Sequence, residues 1–346
     1  MLRRFWSVPC LLTLSLVFVC PAVCQTTPAR EQFRNSDVNY GWAQDNEGHK
    51  LRTFVTRPKN ATGKVPVIFF VGWLSCDSVE YPHGGTDGFG AIFWSLIEQS
   101  GYATVRMDKP GVGESQGDCA KTDFSTELSG YQSAFEEMLK YDFIDPGRVF
   151  VVGLSNGGGT SPMIPRQHTV RGYIAASSWG RTWYEHMLEL ERVRLNASDE
   201  TSSGVNLDLR AFTDFYSLYL IHGMKPGEVV AQHPEWKSLW YDAPDGQYGR
   251  PAAFYQQLQA LNLGEAWQKV TAPVLVMHGT SDRIMSDADA RAIESNVNKA
   301  HPGLARYLEI PGGDHLLSVH GKLVDDVVST MLTWMREQVK DDSSPK

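Results

Sequence analysis

The chain has 346 residues, 42% hydrophobic and 21% charged, which is the balance of a folded globular protein and excludes disorder as its main state. Its 32 Lys plus Arg against 40 Asp plus Glu give a net charge of -8, which disfavours a sequence-blind grip on nucleic acid or anionic lipid. The length permits one domain or two.

The first 24 residues read as a secretory signal peptide. Arg3 and Arg4 form a basic start, residues 11–19 an apolar run, and Pro21 then precedes Ala22, Val23 and Cys24 at the cleavage site. The run is shorter than the roughly 20 residues that span a bilayer, so cleavage is expected over a retained anchor, with a lipid on Cys20 or Cys24 as a lesser option, and the expected mature chain is secreted or periplasmic with no membrane span. Cys76 and Cys119 are the cysteines left after cleavage; an even pair in an exported chain suggests one disulfide, with two free thiols as the alternative.

Residues 38–43 and 50–56 look like an antiparallel hairpin around Asn46, Glu47 and Gly48. Short β-branched runs follow at 65–72, 103–107, 149–153, 170–176, 273–278 and 305–310. They lack polar–apolar alternation, as strands covered on both faces do. Helical patterns at 91–100, 125–141, 156–164, 287–299 and 321–340 are interleaved with them. This rhythm predicts an α/β fold with a doubly wound, mostly parallel sheet. Residues 180–265 break the rhythm: they are rich in aromatics and hold no convincing central strand. They read as a largely helical cap inserted between two parts of one catalytic domain, residues 25–179 and 266–340, with a disordered polar tail at 341–346.

Chemistry in open α/β sheets gathers beyond the carboxyl ends of the strands. The strand at 149–153 runs into Gly153-Leu154-Ser155-Asn156-Gly157, a GxSxG turn before a helix, which exposes the Ser155 hydroxyl as a candidate nucleophile. A serine needs a base, and the base needs a carboxylate to fix its tautomer. Asp282, after the strand at 273–278, and His315, after the strand at 305–310, follow in the order acid then base. Asp287 and His320 are their nearby rivals, and His278 precedes the acid. The oxyanion requires two backbone donors: Asn156, directly after the nucleophile, and Trp73, with Leu74 as neighbour rival.

Together the segments GLSNGG, HGTSD, GGDH and DKPGVGES make residues 38–340 resemble the α/β-hydrolase superfamily, with the insertion at the usual place for a cap. The resemblance implies nucleophile, acid and base roles for Ser155, Asp282 and His315. It sets Cys76 and Cys119 on loops after neighbouring strands, so that a bridge would tie two loops beside the oxyanion hole. It is similar both to secreted esterases and to serine aminopeptidase-like branches. The expected activity is a serine hydrolase forming an acyl-enzyme on a carboxylic ester. The alternatives are an exopeptidase or amidase, which would need an acidic cap group such as Glu185, Glu189 or Glu191, and an inactive hydrolase-fold binding protein. The chemistry needs no cofactor or metal, and GxGxxG, Walker A and HExxH patterns are absent from the sequence. The expected partner is a small-molecule or short-peptide substrate; oligomeric state is not legible.

Overall fold

The computed structural model describes residues 29–86, 88–198 and 201–340. The expected signal peptide and the 341–346 tail lie outside the described residues, as do Cys10, Cys20 and Cys24.

The hairpin forms from β1 (Ser36–Gln44) and β2 (Lys50–Pro58), which pair antiparallel in register from Ser36↔Pro58 to Gln44↔Lys50. Next come β3 (Val65–Val71), α1 (Gly88–Gln99), β4 (Ala103–Met107), α2 (Phe124–Met138), β5 (Ile144–Leu154), α3 (Asn156–Thr160) and β6 (Gly172–Ala176). The inserted segment contributes α4 (Trp183–Asn196), α5 (Ser202–Tyr216), α6 (Pro226–Gln232), the two-residue strands β7 (Gly246–Gln247) and β8 (Arg250–Pro251), α7 (Ala252–Gln259) and α8 (Leu263–Gln268). The sheet resumes with β9 (Val274–Gly279), α9 (Asp287–Ala300) and β10 (Ala305–Ile310), then β11 (Ser318–Val319), β12 (Lys322–Leu323) and α10 (Asp326–Lys340). Eight strands form one sheet in the order β1-β2-β4-β3-β5-β6-β9-β10, parallel from β4 onward.

The apolar runs are covered on both faces. Val67, Phe69, Val149 and Val151 turn to one side, where Phe135 and Met138 of α2 pack. Ile68, Phe70, Phe150 and Val152 turn to the other, against Phe93 and Leu96 of α1 and Met331 and Met335 of α10. Each such side chain contributes about 1.5–3 kcal/mol by leaving water. Because β4 and β5 flank β3 on opposite sides, the order reverses there, and a crevice opens beyond the ends of β3 and β5.

Two expected helices differ at their ends. The 321–340 pattern is helical only from Asp326: Gly321 takes φ 75°, and Ser318–Val319 pairs with Lys322–Leu323 as a small hairpin instead. The 156–164 pattern tightens after Thr160 into a 3-10 turn over Ser161–Met163, where Pro162 supplies no backbone donor.

The insertion is anchored at several points. Thr182 and Glu185 form a capping box that starts α4. Gln257 accepts from Ser125 N at 2.7 Å at the start of α2, and just past the expected end of the insertion Trp267 Nε1 donates to Gly159 O at 3.2 Å. Most of its aromatics, including Phe212, Phe215, Tyr216, Tyr219 and Tyr255, are buried in a core continuous with the α2 side of the sheet.

Candidate active site

Ser155 sits between β5 and α3 with φ 55° and ψ -125°, a left-handed conformation that a serine tolerates only when its surroundings impose it. The glycines around it show what imposes it. A Cβ at Gly157 would lie 2.5 Å from Val71 O, and one at Gly153 would lie 2.5 Å from Gly158 Cα. The turn is therefore as tight as backbone packing allows, and it presents the Ser155 side chain beyond the sheet.

The structure brings Ser155, His315 and Asp282 into one hydrogen-bonded line. His315 Nε2 lies 3.0 Å from Ser155 Oγ, and His315 Nδ1 lies 2.9 Å from Asp282 Oδ2. The Asp282 side chain is fully buried, and its Oδ1 accepts from the backbone NH of Ile284 at 2.8 Å and of Met285 at 3.0 Å. Three ends of strands thus supply a hydroxyl, an imidazole and a carboxylate in the order that lets a proton move from the first to the second. The rivals are engaged elsewhere: Asp287 bonds Arg291 and Tyr307, and His320 occupies the turn of the small hairpin with φ 52°. His278 is buried, its imidazole pushed toward neutrality by desolvation, and it does not join the line.

Asn156 begins α3, so its NH has no intrahelical acceptor. The NH of Trp73 likewise donates to no protein acceptor among the described residues. The loop carrying Trp73 is held from behind by a residue the motif reading passed over. Lys109 Nζ donates to Trp73 O and, at 2.8 Å, to Ser75 O. Burial pushes this ammonium down to about 8 although Glu127, 3.8 Å away, opposes the shift. Glu127 also pairs with buried Arg250, whose guanidinium reaches Cys119 O at 3.3 Å. Cys76 and Cys119 are joined in a disulfide that ties the Trp73 loop to the segment after β4. Asp108, the first residue of DKPGVGES, accepts from Val79 N at 2.7 Å and from the Ser78 hydroxyl, and burial raises its carboxyl to about 6.

Ser155, Asn156, Trp73 and His315 open onto a cavity of about 710 Å³. Its walls are chiefly apolar: Trp73, Leu74 and Phe89 on the sheet side, Ile284 and Leu316 on the loops, and Trp183, Leu190 and Tyr248 from the insertion. His315 also meets the edge of the Phe89 ring at 5.5 Å. His186 of α4 is a further polar lining residue, which no motif marks. The single acid among the described lining residues is Asp77, whose Oδ2 already accepts from Trp73 Nε1 at 3.1 Å and from the Ser75 hydroxyl at 2.5 Å.

A profile of the alpha/beta hydrolase family matches residues 82–327. The chain belongs to this family. Among curated relatives it is similar to Dipeptidyl-peptidase 5 of Porphyromonas endodontalis, 27% identical over 142 residues, a match spanning 38% of this chain and 19% of that protein. Similar solved structures include Est1E of Butyrivibrio proteoclasticus with ferulic acid bound, with 17% identity, a TM-score of 0.55, and coverage of 87% of this chain and 98% of that one. Proline iminopeptidase of Mycobacterium smegmatis gives 16%, 0.55, 88% and 100%, and acetyl xylan esterase 1 of Thermoanaerobacterium sp. gives 15%, 0.54, 89% and 85%. At these identities the likeness carries the fold alone. This family member also has, among its described residues, no helix long and apolar enough to cross a membrane.

Proposed function

We propose that this protein is an exported serine hydrolase that cleaves carboxylic esters through an acyl-enzyme. The observation that carries the reading is the Ser155–His315–Asp282 line at the floor of an apolar cavity. His315 takes the Ser155 proton as Oγ attacks the ester carbonyl. Asp282 steadies the imidazolium, and the NH groups of Asn156 and Trp73 receive the oxyanion. His315 then gives the proton to the departing alcohol oxygen, and a water activated by the same imidazole releases the acid. Export is supported by the disulfide, since such bonds persist in oxidising compartments.

Ester is favoured over a substrate with a free amino terminus because, among the described residues, no acid of the insertion lines the cavity. Glu185 closes the capping box on Thr182, and buried Glu191 is saturated by Tyr216, Tyr241 and Arg194. The partial likeness to a dipeptidyl-peptidase keeps amide hydrolysis as the second reading. A fluorophosphonate probe is expected to label Ser155 in folded protein and to leave Ser155→Ala unlabelled; absence of label on the folded chain rejects both readings. Turnover of p-nitrophenyl esters but not aminoacyl anilides separates them, and the reverse preference would overturn the ester assignment.

A further inference from the structure

His186 has no part in the chemistry just described, yet it lines the same cavity as Ser155 and His315. The residue is 2% exposed, and its ring lies 4.7 Å from that of Trp183, one turn earlier on α4. Nδ1 faces Asp289 Oδ2 at 3.5 Å, a charge contact too long for a good hydrogen bond, and Nδ1 is buried with no closer partner among the described residues. Trp183 Nε1 beside it is also buried without a partner. Trp183 is in turn tied to the nucleophile turn: its ring meets Trp179 edge-on at 4.9 Å, and Trp179 Nε1 donates to Asn156 O at 3.2 Å. Polar groups in an apolar wall cost free energy where they stay unpaired, and a ligand that pairs a polar edge facing the cavity recovers part of it.

The surroundings select the kind of group. Asp289, fully buried, accepts from Arg181 Nε at 3.0 Å and from the Ser286 hydroxyl at 2.9 Å. Burial opposes its ionisation, but His186 and Arg181 outweigh burial and hold it below the usual carboxylate range. The Asp289–Arg181 pair is thus already neutral and calls for no ion from the ligand. With Nδ1 turned to Asp289, Nε2 is the ring nitrogen left for a ligand that enters the cavity. A hydroxyl can pair it, because it both donates and accepts. The rings of Trp73, Phe89, Trp183 and Tyr248 fit an aromatic body around it.

We propose that His186, seated on Asp289, is a specificity-determining residue that reads a hydroxyl on an aromatic ester substrate. The inference rests on the serine-hydrolase reading. Its test compares kcat/KM for methyl para- and meta-hydroxyphenylpropanoate with methyl phenylpropanoate, in the wild type, His186→Phe and His186→Gln, with Ser155 labelling as the control for folded sites. The wild type is expected to favour one hydroxylated ester about tenfold or more, because a site built to pair a hydroxyl rejects the analogue lacking it. His186→Phe is expected to bring the ratio near one, and His186→Gln, which keeps a hydrogen-bonding end, to retain part of it. Equal turnover of the three esters by wild type, or an undiminished ratio in folded His186→Phe, overturns the proposal. Should His186→Phe not fold, the wild-type ratio and a retained preference in His186→Gln decide it. Failure of the serine-hydrolase reading looks different: none of the esters turns over and Ser155 takes no label.

Discussion

Replacing Lys109 with Met separates a residue that positions the oxyanion donors from one that merely stabilises the fold. Met keeps most of the stem volume and removes both bonds to the Trp73 and Ser75 carbonyls, while Glu127 keeps Arg250. A hydrogen bond from a charged donor contributes about 1.5–3 kcal/mol, so the two together contribute about 3–6 kcal/mol. Against this stands the burial of the ammonium, which lowers its pKa from 10.5 to about 8 and so costs about 3 kcal/mol that Met recovers. The net loss of stability is therefore about 0–3 kcal/mol, and the variant folds. The carbonyl side of Trp73, however, loses the contact that holds it, and a resulting shift of the adjoining Trp73 NH that misplaces one oxyanion donor lowers kcat by about 10²–10³-fold. The expected result is a fall in kcat of about 10² with KM within about threefold, measured by steady-state hydrolysis of a p-nitrophenyl ester. A second signature comes from pH. The unfolded chain holds the Lys109 proton up to its ordinary value of 10.5 and the folded chain releases it near 8, so wild-type stability in urea gains from this group as pH rises between those values. Lys109→Met lacks that gain. A folded variant whose kcat stays within about twofold of wild type would refute the positioning argument.

Asp282→Asn keeps the two backbone NH bonds at the carbonyl oxygen and turns an amide NH2 toward His315 Nδ1, a donor against a donor; kcat is expected to fall by about 10⁴ with the fold intact by circular dichroism. Cys76→Ser with Cys119→Ser opens a loop of sequence separation 43, and the chain-entropy relation puts the loss near 4 kcal/mol, to be read by urea unfolding; an unchanged midpoint would show that the bridge constrains nothing in the unfolded chain. Gly157→Ala drives a methyl group to within 2.5 Å of Val71 O, so the β3 end must move away from α3. Loss of fluorophosphonate labelling is expected even where the protein remains folded, and full labelling would refute the close-packed account of the turn.

The parts of the site legible in the sequence are those whose chemistry is written over a few consecutive residues. GLSNGG announces itself because a strand must turn sharply into a helix there, and only glycine fits the closest approaches. Asp282 and His315 follow because each lies on the loop just past a strand of the same parallel sheet, and in such sheets the carboxyl ends of the strands open on one side. The small hairpin at 318–323 was hidden because its strands are too short to show a period of two, and its polar residues blend into the helical pattern that follows.

Lys109 and His186 escaped for a different reason: their meaning lies in which distant residues they meet. Lys109 sits inside a recognisable loop, but its role depends on carbonyls more than 30 positions earlier and on an acid in α2. His186 reads as one polar residue in an amphipathic helix until Asp289, more than 100 positions later, is brought behind it. The same contrast explains where specificity resides. Ser155, Asp282 and His315 stand just beyond the ends of sheet strands, while the insertion contributes walls through side chains whose neighbours are set only by tertiary packing. Substitution in α4 can therefore change what the cavity accepts while leaving the Ser155–His315–Asp282 line in place, because α4 reaches the nucleophile turn through Trp183 and Trp179 and supplies none of its three groups.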